Sequence, residues 1–396
     1  MRVIGMISGT SFDAIEAVAI ELSLKDNVVH ASLLGHSSVE YVAELRVAIG
    51  EILPPGSTTV EQMCQLDTLV GQSFADVAAQ LSDQYFGGEV DVVCSHGQTV
   101  FHWVENGHAL GTLQIGQGAW IAEKTGATVV FDVRSRDVAA GGHGAPLASL
   151  LDVLLLGSSP STVRGALNLG GIANVTVVGP TTEPIAFDIG PANALMDNAV
   201  SWLTNGEEVL DVDGRRAAQG AVDESFLAEL LTDPYYAAPA PKSTGKEYFH
   251  LDYLLERLGA RKVAPNDLLA TLTALTAETV ANAVKGLGVR ELFASGGGTR
   301  NPVLMQEIRR RLPDVKLSLV DDFGIVESAK EAALMALIGF LSVHGLTSTV
   351  ASCTGARAPQ ILGAIIPGRQ GVSYLSASEA PTSIVFASPS EMAPKN

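Results

Sequence analysis

Short apolar runs, broken by glycine-rich polar turns, dominate the chain. Residues 3–7 and 17–22 are apolar runs of strand length. The stretch Ser8-Gly9-Thr10-Ser11-Phe12-Asp13-Ala14 joins them, so the pattern predicts a hairpin whose turn carries hydroxyls and a carboxylate. Residues 60–80 have helical periodicity, 90–94 form a buried-type strand, and 128–133 form another that runs into Arg134-Ser135-Arg136-Asp137 and a glycine-rich turn. Residues 166–178 repeat the strand, turn, strand layout of the N-terminal hairpin, which predicts a duplicated architecture. Further on come a long helix over 268–285, a strand over 291–295, the Gly296-Gly297-Gly298 turn, and a helix over 302–312 with Asn301 as N-cap and Pro302 at its first position. An apolar helix over 330–343 follows, and 381–396 is expected to be a weakly ordered tail.

Length adds a constraint. At 396 residues the chain exceeds one ordinary core, which takes about 100 to 200 residues, so two lobes are expected. The predicted division is 1–135 with 350–396 for one lobe and 136–349 for the other. Forty glycines with only 6% aromatic residues suit α/β packing with many tight turns rather than a base-stacking platform. Lys and Arg number 25 against 43 Asp and Glu, a net charge of -18, and the basic run is the short Arg309-Arg310-Arg311. Binding to a nucleic-acid backbone needs the opposite balance, so no nucleic-acid partner is expected. Cys64, Cys94 and Cys353 are odd in number and far apart, which suggests neither a disulfide framework nor a metal knuckle and fits a cytoplasmic, reducing compartment. Asp13 and Glu16 interrupt the apolar start, unlike a secretory signal. The apolar stretch 332–346 is short for a membrane span and carries His344, so no membrane association is expected.

The glycine turns carry the first chemical signal. Glycine lacks the Cβ that would hold a backbone away from a phosphate. Gly9-Thr10-Ser11 with Asp13, Gly170-Gly171-Ile172-Ala173-Asn174 and Gly296-Gly297-Gly298-Thr299-Arg300-Asn301 each follow an apolar strand. None matches a P-loop or a dinucleotide-binding fingerprint. Ser243-Thr244-Gly245-Lys246-Glu247 resembles the end of a P-loop, but position 240, where its first glycine should stand, is alanine. Any one turn alone would be an ordinary tight turn. Three in this order are the layout of the actin/hexokinase/sugar-kinase superfamily, with two phosphate loops and an adenosine loop. On that reading Thr10 and Ser11 meet the γ-phosphate, Asp13 helps hold hydrated magnesium, and Gly297-Gly298 lies against the adenosine.

Asp188, in Phe187-Asp188-Ile189-Gly190-Pro191, stands between an apolar strand and a Gly-Pro turn, where desolvation would raise its basicity. That suits a general base, and equally an Asx-turn or a helix cap ahead of 194–203. Asn193 and Asp197 are candidates for positioning. In Ser95-His96-Gly97-Gln98-Thr99 the polar groups suit hydroxyl recognition or loop hydrogen bonding; the spacing of His96, His102 and His108 matches no usual metal-ligand pattern. Arg134, Arg136 and Asp137 lead into a glycine turn, and the arginines are either a solvated pair or a carboxylate or hydroxyl clamp. Glu331, in the first turn of the last helix, is favoured there by the helix dipole without further role.

Taken in order, Met6-Ile7-Ser8-Gly9-Thr10-Ser11-Phe12-Asp13, Ser95-His96-Gly97-Gln98-Thr99, Thr112-Leu113-Gln114-Ile115-Gly116, Arg136-Asp137-Val138-Ala139-Ala140-Gly141-Gly142, Asn168-Leu169-Gly170-Gly171-Ile172-Ala173-Asn174, Phe187-Asp188-Ile189-Gly190-Pro191, Lys242-Ser243-Thr244-Gly245, Lys330-Glu331-Ala332 and Thr354-Gly355-Ala356 resemble the anhydro-N-acetylmuramic acid kinase family, which also contains levoglucosan kinases. The resemblance implies a two-lobed actin/hexokinase-like (ribonuclease H-like) α/β fold with a central cleft, ATP and magnesium as cofactors, and a homodimer. It implies a reaction in which ATP, water and a 1,6-anhydro sugar give ADP and the sugar 6-phosphate. Asp188 then matches the base that activates water at C1, Glu331 an acid near the site, and Arg136 an arginine of the sugar pocket. The nucleotide is expected at Gly9, Thr10, Ser11, Phe12, Asp13, Ala14, Ile15 and Glu16, at Asn168, Gly170 and Gly171, and at Gly296, Gly297, Gly298 and Asn301. The sugar is expected at His96, Gln98, Thr99, Arg136, Asp137 and Asn193.

Phe12, Ala14, Gln117, His143 and Ala192 depart from the family pattern near the expected binding surfaces, and so bear on which sugar fits. A levoglucosan or other anhydrosugar kinase would need the same base and turns. A non-catalytic sugar sensor or actin-like ATPase would keep the turns and leave Asp188 structural.

Overall fold

The computed structural model describes residues 1–157, 161–372 and 379–387. The chain divides into two compact units, Met1–Gly157 with Phe323–Asn396, and Ser158–Asp322.

In the first unit β1 (Arg2–Ser8), β2 (Ala14–Lys25) and β3 (Val28–Glu40) form an antiparallel meander. On the other side of β1 lie β4 (Val92–Glu105), parallel to it, and β6 (Thr128–Phe131), parallel to β4, while β5 (His108–Ile115) folds back on the far half of β4 as a hairpin. The second unit has β7 (Arg164–Leu169), β8 (Ile172–Val178) and β9 (Ile185–Pro191) as a meander, then β10 (Glu291–Ser295) and β11 (Lys316–Leu319) in parallel beside β7. After it the chain adds β12 (Ala364–Ile366) and β13 (Ser383–Phe386) to the two edges of the first sheet. Stripped of the added strands, the orders are β3-β2-β1-β4-β6 and β9-β8-β7-β10-β11. Both follow one ribonuclease H-like plan, so the expected duplication is architectural fact. In each unit the first hairpin turn is one of the predicted phosphate turns.

The division between units falls elsewhere than the sequence suggested. Helices Ser135–Ala139, Ala148–Leu156 and Lys330–Val343 all belong to the first unit, so Glu331 is not in the second. The reason is close packing. A Cβ on Gly5 of β1 would lie 2.0 Å from the main-chain oxygen of Ala332, and one on Gly339 would lie 2.6 Å from Cys94 Cβ in β4. Glycine on the strand and glycine on the helix let Lys330–Val343 lie directly on the sheet. A buried ion pair, Lys330 to Asp152 at 2.6 Å, ties its first turn to the helix Ala148–Leu156.

Two other expectations change. Residues His96 to Thr99 are not a loop but part of β4, and the expected tail contains β13; positions 388–396 lie outside the described residues. Most elements match their patterns: Asn301 caps Pro302–Arg311 by accepting from Val303 and Leu304 N–H at 3.1 Å, and the late apolar helix spans the predicted Lys330–Val343.

Candidate active site

In the first unit, the turn between β1 and β2 is held from below by Gln98. Ser8 Oγ donates to Gln98 Oε1 at 2.6 Å, and Gln98 Nε2 donates to Gly9 O and Thr99 O at 3.1 Å. With its amide committed in this way, Gln98 positions the turn rather than meeting a sugar. Gly97 makes the contact possible: its φ is 70°, a Cβ there would lie 2.4 Å from Ile115 O, and the β1–β4 register shifts at this point. Above, Phe12 N–H closes the turn onto Gly9 O at 3.1 Å, with Phe12 in the left-handed region at φ 41°. Thr10, Ser11 and Asp13 are exposed, and a Cβ on Gly9 would have no contact closer than 3.8 Å.

Asp13 Oδ1 accepts from Ser11 Oγ and Ala14 N–H, both at 2.9 Å. One carboxylate oxygen on an exposed turn is left for solvent, which fits a hydrated magnesium ion that needs a single protein carboxylate. Ala14, Ile15 and Glu16, expected at the nucleotide, are ladder residues of β2. Ala14 and Ile15 are buried, and the Glu16 carboxylate accepts from His36 Nε2 at 2.7 Å and Ser38 Oγ at 2.5 Å. Their side chains serve the sheet.

The residues expected at the sugar divide sharply. Asp137 is fully buried; its Oδ2 accepts from Gly144 N–H at 2.7 Å and its Oδ1 from Thr354 Oγ1 at 2.8 Å. It organises the glycine turn after the helix Ser135–Ala139 and has no face for a ligand. Thr99 Oγ1 accepts from Gln114 Nε2 at 3.2 Å. His96 is buried, with Nε2 accepting from Arg134 Nε at 2.7 Å, so its Nδ1–H is the donor to Gly97 O at 3.1 Å. Burial, helped by the Arg134 charge, pushes the His96 pKa down to about 3, so the ring stays neutral and holds Arg134. Arg134 also donates to Gly144 O at 2.5 Å. Arg136, by contrast, is exposed and pairs with no described residue.

Arg134 is the residue in this unit that the sequence undervalued. Burial lowers its pKa to about 10 while the nearby Glu331 and Asp137 charges raise it. Glu331 keeps contact with solvent, yet crowding by protein pushes its carboxyl pKa up, against the downward pull of Arg134 and Lys330. The first unit thus presents the Gly9 turn, a neutral histidine, a half-buried arginine beside an acid, and exposed Arg136. Of the departures, Gln117 accepts from Ala119 N–H at 3.4 Å to cap its helix, and His143 stacks on His108 with ring centres 6.4 Å apart.

In the second unit the Gly170–Gly171 turn is fixed by the helix Asn193–Leu203. Ala192 and Ala194 N–H donate to Gly171 O and Asn193 N–H to Gly170 O, at 2.9 to 3.0 Å, and Asn193 Nδ2 donates to Leu169 O at 3.1 Å. Asn193 therefore belongs to this turn. Ala192, the remaining departure, is buried at its cap position. The third turn packs beside it: a Cβ on Gly296 would lie 2.5 Å from Asn168 Oδ1, one on Gly298 2.7 Å from Leu169 Cβ, and one on Gly297 would meet nothing. Gly297 is the open face of that turn, and Asn301 is taken up by its cap.

Asp188 sits in β9, not in a turn. Its Oδ2 accepts from Ser243 Oγ at 2.9 Å and from Thr244 N–H at 3.0 Å, while its main-chain N–H donates to Lys242 O at 2.9 Å. Burial raises its carboxyl pKa, the two hydrogen bonds pull it down, and Glu247 pushes it up; the net direction is upward. No described residue bonds to Oδ1, so a fixed carboxylate offers one basic oxygen. The sequence had singled out Lys242-Ser243-Thr244-Gly245 without giving it a task, since nothing local ties residues 55 positions apart.

The comparisons agree with the motifs. The family model described as anhydro-N-acetylmuramic acid kinase matches residues 1–368. A protein of that name from Streptomyces coelicolor is 56% identical over 93% of this chain and 95% of its own length. One from Rhodococcus erythropolis is 53% identical over 95% of this chain and 96% of its own, and one from Caldanaerobacter subterraneus 36% identical over 92% and 96%. On the extent of these matches, and on the motifs that carry them, the chain belongs to the anhydro-N-acetylmuramic acid kinase family.

Proposed function

We propose that this protein phosphorylates 1,6-anhydro-N-acetylmuramic acid with ATP, opening the anhydro bridge with water to give N-acetylmuramic acid 6-phosphate and ADP. The observation that carries the reading is the Asp188 carboxylate, with one oxygen held by Ser243 and Thr244, the other free, and its basicity raised by burial.

The chemistry requires a base. O6 is tied to C1 and is a poor nucleophile towards phosphorus until that bond breaks. Asp188 Oδ1 takes a proton from water, the water oxygen bonds to C1, and the C1–O6 bond breaks. O6 takes the γ-phosphoryl group as the bond from phosphorus to the ADP oxygen breaks. The task resembles that of the base in an inverting glycosidase. The Ser243 and Thr244 donors keep the carboxylate from rotating, which favours one attack geometry.

The Gly9 and Gly170–Gly171 turns serve the phosphates and the open face at Gly297 the adenosine. Magnesium bound with the nucleotide would neutralise phosphoryl charge, and Asp13 would hold it through coordinated water. Arg136 supplies an exposed guanidinium for the lactyl carboxylate, and Glu331 an acceptor for a sugar hydroxyl. A cytoplasmic setting accords with three unpaired cysteines, and among the described residues no helix is long and apolar enough to cross a membrane.

The test is ADP release with MgATP and, separately, 1,6-anhydro-N-acetylmuramic acid, levoglucosan, N-acetylmuramic acid and no sugar. Turnover with the first alone supports the reading. Turnover with levoglucosan alone would reassign the sugar, and ATP binding without turnover on any of them would count against a kinase of these sugars.

A further inference from the structure

The segment that holds Asp188 also carries a lysine over the second phosphate turn. A Cβ on Gly171 would lie 2.4 Å from Lys246 Cε and 3.4 Å from its Nζ, so the aliphatic stem rests on the glycine and the ammonium stands beside the turn. Glycine at this position lets the stem lie directly against the turn. No carboxylate among the described residues comes within 4 Å of that ammonium, although Asp197 and Glu247 are its acidic neighbours. Its field reaches Asp197, whose pKa burial raises to about 6 and Lys246 draws down.

The turn beneath is arranged to receive an anion. The Gly170 and Gly171 carbonyls are taken up by the N–H groups of Ala192, Asn193 and Ala194, while the Gly170 and Gly171 N–H groups bond to no described residue. Two amides in a glycine turn with an uncommitted ammonium alongside make a cationic cradle in a protein whose net charge is -18. The overall field repels a polyphosphate, so local donors must hold it.

We infer that Lys246 is a nucleotide-binding residue, its ammonium meeting a phosphate oxygen of the nucleoside triphosphate bound at the Gly170–Gly171 turn. This rests on the kinase reading above and adds to it a specific cation. Ser243 and Thr244 hold the base and Lys246, two residues further, holds the phosphate, so one short segment aligns both.

The test is calorimetric titration of the full chain with ADP and, separately, with adenosine, which has no phosphate. Lys246→Met should weaken ADP binding by about tenfold or more, the range of a charge-assisted hydrogen bond, and leave adenosine binding unchanged. Lys246→Arg should restore most of the loss. Lys246 is exposed, so the variants should fold, which circular dichroism checks. Native ADP affinity in Lys246→Met overturns the inference, and so does an equal loss for ADP and adenosine, which would mean a structural role. Failure of the unmodified protein to bind ADP would overturn the nucleotide reading itself, and this inference with it.

Discussion

Tyr235 donates its phenolic hydrogen to the main-chain oxygen of Asp188 at 2.6 Å. The same stretch of chain returns to the other side of the residue, where Lys242 O accepts the Asp188 N–H at 2.9 Å. Lys242 Nζ closes the loop by donating to Tyr235 O at 2.8 Å and Tyr236 O at 3.1 Å. Asp188 is thus clamped at its main chain as well as its carboxylate, by residues 47 to 56 positions later in the sequence.

Tyr235→Phe removes one clamp and nothing of the carboxylate's own bonding. The expected result is a fall in kcat of roughly threefold to tenfold, the worth of one hydrogen bond, with the KM for ATP unchanged. Steady-state kinetics with each substrate varied would show the split, and an unchanged kcat would mean that the carboxylate clamp suffices.

Asp233 anchors that stretch. It is buried, with Tyr235 N–H, Tyr248 Oη and Tyr253 Oη as donors and Arg257 paired at 2.7 Å. Asp233→Ala leaves the guanidinium and two hydroxyls without their shared acceptor, and should destabilise the protein by about 3 kcal/mol or more. Denaturant unfolding measures this. A loss below 1 kcal/mol, as for a surface pair, would show that water replaces the carboxylate there.

Strands, helices and turns were legible because their signals are local: the apolar runs of β1 and β2, Asn301 before Pro302, and glycine after an apolar run. What the sequence could not show was which polar side chains face inwards. Gln98, Asp137 and Glu16 look like ligand contacts in a linear motif, yet each has its acceptors filled by groups up to 217 positions away. Asn193 reads as a sugar contact and is a brace for the Gly170–Gly171 turn. The unit boundary was missed for the same reason, since the fit of Gly5 to the helix Lys330–Val343 joins distant segments.

That fit gives a stability prediction. Adding a methyl group at Gly5 brings a Cβ within 2.0 Å of Ala332 O and 2.3 Å of Ala336 N, both main-chain atoms that cannot rotate away. Gly5→Ala should therefore cost about 2 to 3 kcal/mol or more by overpacking. The helix would have to lift from β1, so denaturant unfolding should report it. Native stability would mean the sheet and helix can separate at little cost.

The raised pKa of Asp188 links activity and stability in opposite senses. Burial favours the protonated acid, so the folded protein holds that proton more tightly than the unfolded chain. Stability from this group is present at low pH and lost as pH rises from the ordinary aspartate value, about 3.9, through the raised folded value. Turnover runs the other way on the proposed role, since a base acts only when ionised, so kcat should fall as pH drops through the raised value. Asp188→Asn separates the two effects. An amide oxygen can still accept from Ser243 and Thr244, and no charge is buried, so the melting temperature at neutral pH should equal or exceed that of the unmodified protein. Its kcat should fall by at least about 10²-fold, with ATP binding retained. A kcat near the native value would remove Asp188 from the reaction, whereas a large loss of melting temperature alongside the lost turnover would make its role structural.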